Sequence, residues 1–414
     1  MDVTADMIDE AAKRLDGTVS TTPLQLSQRL SDEYGARVYL KREDLQVVRS
    51  YKVRGAYNLM SSVPVMHRRR GFVCASAGNH AQGVALSASL LKAKAVIFMP
   101  VITPMQKIAR VRHFGGAWIE IKLVGSNYDE ASKAAHEYCA KNNAIFVRPF
   151  DDYKVIAGQG TVGKEIYEQS DGTIDYIVCP IGGGGLISGV AAYIKSKQGH
   201  THIIGAEPAG ASSMYESVKA GRLIALDRID TFVDGAAVKS VGKATFGIVR
   251  RLVDRIILIP EGKVCATMIE LYQNEGIVAE PAGALSIAAL DSLAGKIRGK
   301  TVVCVLSGGN NDILRYPEVM ERSLAYKGLK HYFLIDFAQK PGQLRKFVDS
   351  ALGPTDDIAR FEYLKKNSKE TGPALVGIEL AKREDLGPLL QKMKRLGISY
   401  RRITDDDPLY SYLI

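Results

Sequence analysis

The feature that most constrains this chain is a long alternation of strand-like and helix-like segments running from Arg37 to Asn310. Short apolar runs recur as Val38-Tyr39-Leu40, Phe72-Val73-Cys74-Ala75, Ala95 to Met99, Trp118 to Ile121, Tyr176 to Cys179, Ile203 to Ala206, Ile256 to Ile259 and Val302 to Leu306. Helical patterns lie between most of them, among them His80 to Leu91, Pro104 to His113 and Asn127 to Lys141. Strands that are apolar almost throughout, alternating with helices, predict a doubly wound α/β domain around a buried, mostly parallel sheet.

After about Arg322 the rhythm changes. The stretch from His331 reads strand (Tyr332 to Phe337), helix (Gly342 to Ala351), strand (Ile358 to Lys365), strand (Ala374 to Leu380), helix (Glu384 to Leu396) and a last strand near Tyr400. That βαββαβ order predicts a small ferredoxin-like module. The expected division is a large domain over 1–322, a linker over 323–330 and the module over 331–414.

A length of 414 residues accommodates these two domains, and 46% hydrophobic with 24% charged residues excludes a disordered or fibrous chain. The apolar stretch from Ala95 to Ile102 is broken by Pro100 and is too short to span a bilayer. The acidic start, Met1-Asp2-Val3-Thr4-Ala5-Asp6, lacks a basic-then-apolar export pattern. Cys74, Cys139, Cys179, Cys265 and Cys304 are widely spaced and form no CxxC pair, which predicts reduced thiols in a cytoplasmic protein rather than disulfides or a zinc site. The net charge of +10 is dispersed, with basic knots only at Arg68-Arg69-Arg70 and Arg401-Arg402. Neither knot sits in a nucleic-acid motif, and a small anionic substrate or cofactor accounts for a mild basic excess.

Four segments carry chemistry. Ser76-Ala77-Gly78-Asn79-His80 joins a strand to a helix, where unpaired N–H groups and the positive dipole end suit a carboxylate; taken alone it also reads as an ordinary helix cap. Pro180-Ile181-Gly182-Gly183-Gly184-Gly185-Leu186 lets the backbone approach a phosphate. A dinucleotide is its rival, with Glu207 near the place of a ribose-binding acid. The G-x-G-x-x-G pattern fails, however, because its last position is Ile187 or Ser188. No Lys-Ser/Thr pair follows, so a Walker loop fails too, and a simpler phosphate ester or a purely structural turn remains. Ser307-Gly308-Gly309-Asn310 follows a third strand and offers a hydroxyl to a bound ring. Last, Lys41-Arg42-Glu43-Asp44-Leu45 precedes Ser50-Tyr51-Lys52-Val53-Arg54-Gly55-Ala56. A lysine desolvated there would have a lowered pKa and act as a nucleophile, although most lysines are solvated surface groups.

Taken together and in this order, the four segments strongly resemble the pyridoxal-phosphate threonine dehydratases of the tryptophan-synthase-β-like group (fold type II). Thr231-Phe232-Val233-Asp234-Gly235-Ala236-Ala237-Val238-Lys239 and Glu280-Pro281-Ala282-Gly283-Ala284 are similar to that family as well. The C-terminal module, with Lys340-Pro341-Gly342, resembles the ACT-like regulatory domain of its biosynthetic form. The resemblance implies that Lys52 holds pyridoxal phosphate and acts as general base. It implies that Asn79 meets the cofactor's 3′-oxygen, that Gly182, Gly183, Gly184, Gly185 and Leu186 bind the phosphate, and that Ser307 faces the pyridine nitrogen. Ser76, Ala77, Gly78, Asn79 and His80 match the loop that takes the substrate carboxylate. The implied reaction converts L-threonine to 2-oxobutanoate and ammonia, the first step toward isoleucine. Isoleucine, with valine as a second candidate, would act as effector on a homo-oligomer, a dimer or tetramer, with no nucleic-acid or membrane partner. In related serine racemases the position of Ala77 is a serine that protonates Cα.

The sequence departs from the family pattern at Val47-Val48-Arg49-Ser50, commonly Pro-Thr-Gly-Ser, and at Tyr51, commonly Phe. Ala211-Ser212-Ser213 lacks the acid that cation-binding relatives carry after the glutamate matched by Glu207, so no metal site is expected. The competing readings are a catabolic serine/threonine dehydratase, a threonine synthase, and an amino-acid sensor that has lost its chemistry.

Overall fold

The computed structural model describes residues 2–363, 370–404 and 407–413. They form two compact units, one of residues 2–261 with 271–311, the other of residues 262–270 with the described residues from 312 to 413.

The first unit contains strands β1 (Leu24–Leu26), β2 (Arg37–Arg42), β3 (Phe72–Ala75), β4 (Ala95–Met99), β5 (Ile119–Leu123), β6 (Ile145–Phe146), β7 (Tyr176–Pro180), β8 (His202–Pro208), β9 (Arg255–Ile259) and β10 (Thr301–Leu306). The expected single sheet is divided in two. One has the order β1-β2-β10-β7-β8-β9 and the other β5-β4-β3-β6. Every pair is parallel except β1 with β2. After β2 the chain leaves the first sheet, builds the whole second sheet, and returns at β7. Hydrophobic periodicity reports the strands but not this nesting, because it carries no information on which strands pair. The strands β1 and β6 went unanticipated, being only three and two residues long.

Both sheets are covered by helices, which explains their continuous apolar strands. In the smaller sheet Phe72, Cys74, Ile97 and Met99 pack against Ala81, Val84, Ala85 and Ala88 of helix Asn79–Leu90. In the larger one Ile177, Cys179, Ile203, Val303 and Val305 pack with Leu186, Ile187 and Val190 of helix Gly185–Lys197. Each fully buried aliphatic side chain contributes about 1.5–3 kcal/mol to that packing. No disulfide joins cysteines among the described residues, and no described helix is long and apolar enough to cross a membrane.

In the second unit, β11 (Lys330–Ala338), β12 (Asp357–Tyr363), β13 (Thr371–Glu379) and β14 (Ser399–Ile403) form an antiparallel sheet of order β12-β13-β11-β14. Helices Gln343–Ala351 and Leu386–Arg395 complete the βαββαβ arrangement. Phe333, Ile335 and Phe337 alternate inward on β11 and meet Phe347, Leu389 and Met393 from those helices. The opposite face carries the half-buried pair Leu334 and Leu375, directly opposed across the two strands. Residues 323–330, expected as a linker, comprise the last turn of helix Tyr316–Lys327, Gly328 in the left-handed region (φ 69°), Leu329 and the first residue of β11. Lys365, expected as a strand end, and Ile414 lie outside the described residues.

Candidate active site

Two lysines of the stretch from Lys41 to Ala56 are desolvated, and their surroundings separate them. Lys41 is fully buried and its Nζ meets Glu165 Oε2 and the Thr22 carbonyl, each at 2.6 Å. Arg54 joins the same buried cluster, bonding Glu43 through Nε and Nη2 at 2.8 Å and Glu165 through Nη1 at 2.5 Å. Two cations and two carboxylates thus satisfy one another, which is a structural arrangement. Lys52 is different. It opens helix Lys52–Ser61, is half-buried, and its Nζ donates to the carbonyl of Pro149 at 3.0 Å. Desolvation pushes its pKa down to about 8, only partly opposed by the Glu280 charge.

The carbonyl that receives Lys52 belongs to a short segment after β6 that organises the whole site. Val147 accepts from Nε2 of buried His80 at 2.9 Å. A carbonyl can only accept, so that ring nitrogen carries the proton. Burial, with the Lys52 charge, holds the His80 pKa down at about 3, so the ring is neutral. The next residue after Pro149, Phe150, fills the space beside the glycine loop: a Cβ on Gly183 would lie 2.3 Å from its ring. Asp151 accepts from the N–H groups of Ala244 and Thr245 at 2.9 and 3.3 Å, at the start of helix Lys243–Leu252. Asp152 caps helix Tyr153–Gln169. Sequence reading missed this segment, because its key contributions are carbonyls, which any residue supplies.

Within the glycine loop only Gly184 has a left-handed backbone, at φ 86°. The helix beginning at Gly185 leaves the N–H groups of Gly185, Leu186 and Ile187 without acceptors in their own helix, a ready anion site. Glu207 does not serve a ribose. Its two oxygens accept the N–H groups of Met214 and Tyr215, both at 2.8 Å, in the first turn of helix Ser213–Ala220. Burial pushes its pKa up to about 8.

Two further segments close the site. Residues 76–79 are half-buried, between buried β3 and buried His80, and a Cβ on Gly78 would meet no heavy atom within 4 Å. Ser76 Oγ accepts from the Gly78 N–H at 3.2 Å. Ser307 is buried, with its hydroxyl 3.4 Å from the Ala282 carbonyl, and its own carbonyl receives the Tyr51 N–H at 3.2 Å. Glu280, buried at the N-cap of helix Pro281–Ala288, accepts from Asn79 Nδ2 at 2.7 and 3.0 Å. Neither Glu280 nor Asn310 was assigned a role from sequence, although both lie in the motifs that carry the resemblance.

A desolvated primary amine, a helix N-terminus opened by glycines and a hydroxyl set against a neutral carbonyl fit a phosphorylated pyridine aldehyde. Residues 15–308 match the pyridoxal-phosphate-dependent enzyme family, and residues 321–413 match the C-terminal regulatory domain of threonine dehydratase. The chain is 53% identical over 404 residues to the biosynthetic L-threonine dehydratase IlvA of Halalkalibacterium halodurans, covering 98% of this chain and 97% of that one. It is 51% identical to the Bacillus subtilis enzyme of the same name, covering 98% and 96%. Among solved structures it is similar to the processed form of threonine deaminase isoform 2 from Solanum lycopersicum, with a TM-score of 0.74, 39% identity and coverage of 77% and 87%. Maize serine racemase gives a TM-score of 0.72 at 31% identity, covering 79% and 99%. The chain therefore belongs to the pyridoxal-phosphate-dependent enzymes, among the biosynthetic threonine dehydratases that carry a C-terminal regulatory domain.

Proposed function

We propose that the chain is an L-threonine dehydratase, a lyase that yields 2-oxobutanoate and ammonia at the first step of isoleucine biosynthesis. The observation that carries this reading is Lys52, a desolvated amine held by a backbone carbonyl rather than by a carboxylate, next to the segment that packs on the glycine loop. Bound pyridoxal phosphate supplies an electron sink for the pair left at Cα when its proton is removed. Lys52 would hold the cofactor aldehyde and, as a free amine, would take the Cα proton; a pKa of about 8 keeps part of it neutral near neutral pH. Gly182 to Leu186 hold the phosphate, Asn79 meets the 3′-oxygen, and Ser307 faces the ring nitrogen. The Ser307 hydroxyl is neutral, so beside a ring nitrogen it would not force a proton there as a carboxylate would, which would favour loss of the β-hydroxyl over transamination. The eliminated enamine tautomerises and hydrolyses to 2-oxobutanoate and ammonia. Backbone groups of residues 76–80 take the substrate carboxylate; the His80 side chain is already committed to Val147.

The regulatory part is proposed to span residues 331–414, preceded by a catalytic part over 1–322. The sheet face that carries Leu334 and Leu375, together with edge strands β12 and β14, suits association with a second copy, giving a dimer or tetramer, with isoleucine or valine bound at the seam. Cysteine usage is consistent with work in the cytoplasm.

Adding pyridoxal phosphate to the pure protein should produce a visible absorption band, and the loaded protein should convert L-threonine to 2-oxobutanoate. Lys52→Ala should lose the band and at least about 10³-fold of the rate, the upper range for a general base, while its melting curve is retained. A Lys52→Ala rate near that of the wild type would exclude this assignment. An intact protein that forms no visible band would favour the sensor reading.

A further inference from the structure

We infer that Arg110 and Asn310 are positioning residues that set which way the side-chain amide of Asn79 faces, and so keep Asn79 a hydrogen-bond donor toward the cofactor oxygen. The inference rests on the proposed placement of that oxygen at Asn79.

An asparagine amide has nearly the same shape either way round, so packing does not decide which end donates. The neighbours decide it. A guanidinium can only donate, and Nη1 of Arg110 lies 2.5 Å from Oδ1 of Asn310. The Asn310 Nδ2 is thereby turned inward, where it meets two oxygens, the Val48 carbonyl and Oδ1 of Asn79, each at 2.7 Å. With its oxygen so engaged, Asn79 presents Nδ2 to the Glu280 carboxyl. Turning the Asn79 amide round would set N–H against N–H at Asn310.

Glu280 cannot impose this polarity alone. A carboxyl donates when protonated and accepts when ionised, and burial raises its pKa to about 7. The groups around it are Asn79, the Asn310 backbone N–H, Asp234 and Lys107, with Lys52 also within its field. A guanidinium has donors and no acceptor, so the direction that Arg110 imposes on Oδ1 of Asn310 does not reverse. Among the described residues, no hydrogen bond links Arg110 or Asn310 to Lys52 or to the glycine loop. Their influence runs through Asn79.

An N–H donor stabilises an ionised oxygen, whereas a carbonyl facing the same oxygen stabilises its protonated form. In the loaded enzyme the ionised form absorbs in the visible and the protonated form in the near ultraviolet, so the ratio of the two bands reads the direction of the Asn79 amide. Three full-length variants loaded with pyridoxal phosphate test this. Asn310→Asp accepts at both ends, keeps the Arg110 bond and draws Nδ2 of Asn79 toward itself; the visible-to-ultraviolet ratio should fall by about tenfold or more, as when the oxygen's pKa rises by about one. Arg110→Met removes one of the two groups that orient Asn310, leaving the Val48 carbonyl, and should shift the ratio the same way by a smaller factor, while Arg110→Lys should restore it. Cofactor content and melting curves are measured beside each spectrum, since a merely structural role would move those and leave the ratio unchanged. If Asn310→Asp does not fold, the half-buried surface position Arg110 decides the matter alone. Unchanged ratios across pH in Arg110→Met and in any folded Asn310→Asp would overturn the inference. A folded wild type that forms no visible band would instead overturn the placement of the cofactor, and this inference with it.

Discussion

At the scale of single residues, burial sets the chemistry more than partners do. Glu280 shows this most directly, because burial first, and Asp234 second, raise its pKa from 4.5 to about 7 against the opposing pull of Asn79, the Asn310 N–H and Lys107. Between those two values the folded chain keeps a proton that the unfolded chain has released. The stability contributed by this group is therefore greatest below the lower value, falls as pH rises through the interval, and is level above it. Glu280→Gln cannot ionise and removes that slope. Melting of the cofactor-free proteins near pH 5 and near pH 8 should show the wild type losing stability relative to the variant, by about 1.4 kcal/mol for each pH unit crossed inside that interval. Parallel curves would mean that the carboxyl is solvated. Ala77 makes a second residue-scale case. It has no exchangeable proton at a position that the resemblance matches to an acid in serine racemases, so a two-base inversion of Cα would lack its second acid. Incubation with L-serine should give pyruvate and ammonia without D-serine; appreciable D-serine would show that another group, such as Ser76, reaches Cα from that side.

At the scale of elements, the glycine loop and the loop at 76–80 both join a strand to a helix yet differ in what surrounds them. A Cβ at Gly183 would meet three Phe150 ring atoms at 2.3 to 2.5 Å, and moving Phe150 would disturb the Pro149 carbonyl that holds Lys52. Gly183→Ala should cost about 1–3 kcal/mol by overpacking and weaken cofactor binding. Gly78 faces open space, so Gly78→Ala should change stability by less than about 0.5 kcal/mol while raising the KM for threonine. Thermal melts and steady-state kinetics on both variants check the contrast, and a destabilised Gly78→Ala would refute it. The same contrast explains what was legible beforehand. Lys52, the glycine loop and Ser307 could be singled out beforehand only because their segments occur together in a fixed order that resembles a family; each alone is a weak signal. The strands were legible because both faces of each sheet are covered. The nesting of one sheet within the other was not, nor was the segment from Val147 to Asp152, whose carbonyls and packing leave no residue signature. Asn310 stood in a recognised motif, but its partner Asn79 lies 231 positions away and only the folded chain brings them together.

At the scale of the whole molecule, the question is whether the ferredoxin-like module controls the enzyme or only assembles it. Its boundary matters to the test. Helix Tyr316–Lys327 packs on helix Glu261–Glu275: a Cβ on Gly262 would lie 2.5 Å from Tyr326 Cβ, and Lys327 pairs with Glu270 at 3.0 Å. A chain ending at Arg322 would lose Tyr326 and Lys327 and leave that surface exposed. A chain ending at Gly328, the left-handed cap of the helix, keeps both contacts and removes the sheet. The shortened protein should bind pyridoxal phosphate, with its visible band as the check on folding, and should turn over threonine with hyperbolic kinetics. In the intact protein isoleucine should shift half-saturation upward by a factor of about 5 to 150, the usual span of allosteric coupling, with sigmoidal dependence on threonine. Reciprocity then requires threonine to weaken isoleucine binding by the same factor, which calorimetry on an inactive but cofactor-loaded state can read. If the protein ending at Gly328 remains inhibited by isoleucine, the effector site lies in the catalytic unit. If the intact protein is indifferent to isoleucine while the shortened one changes only in subunit number, the module serves assembly alone.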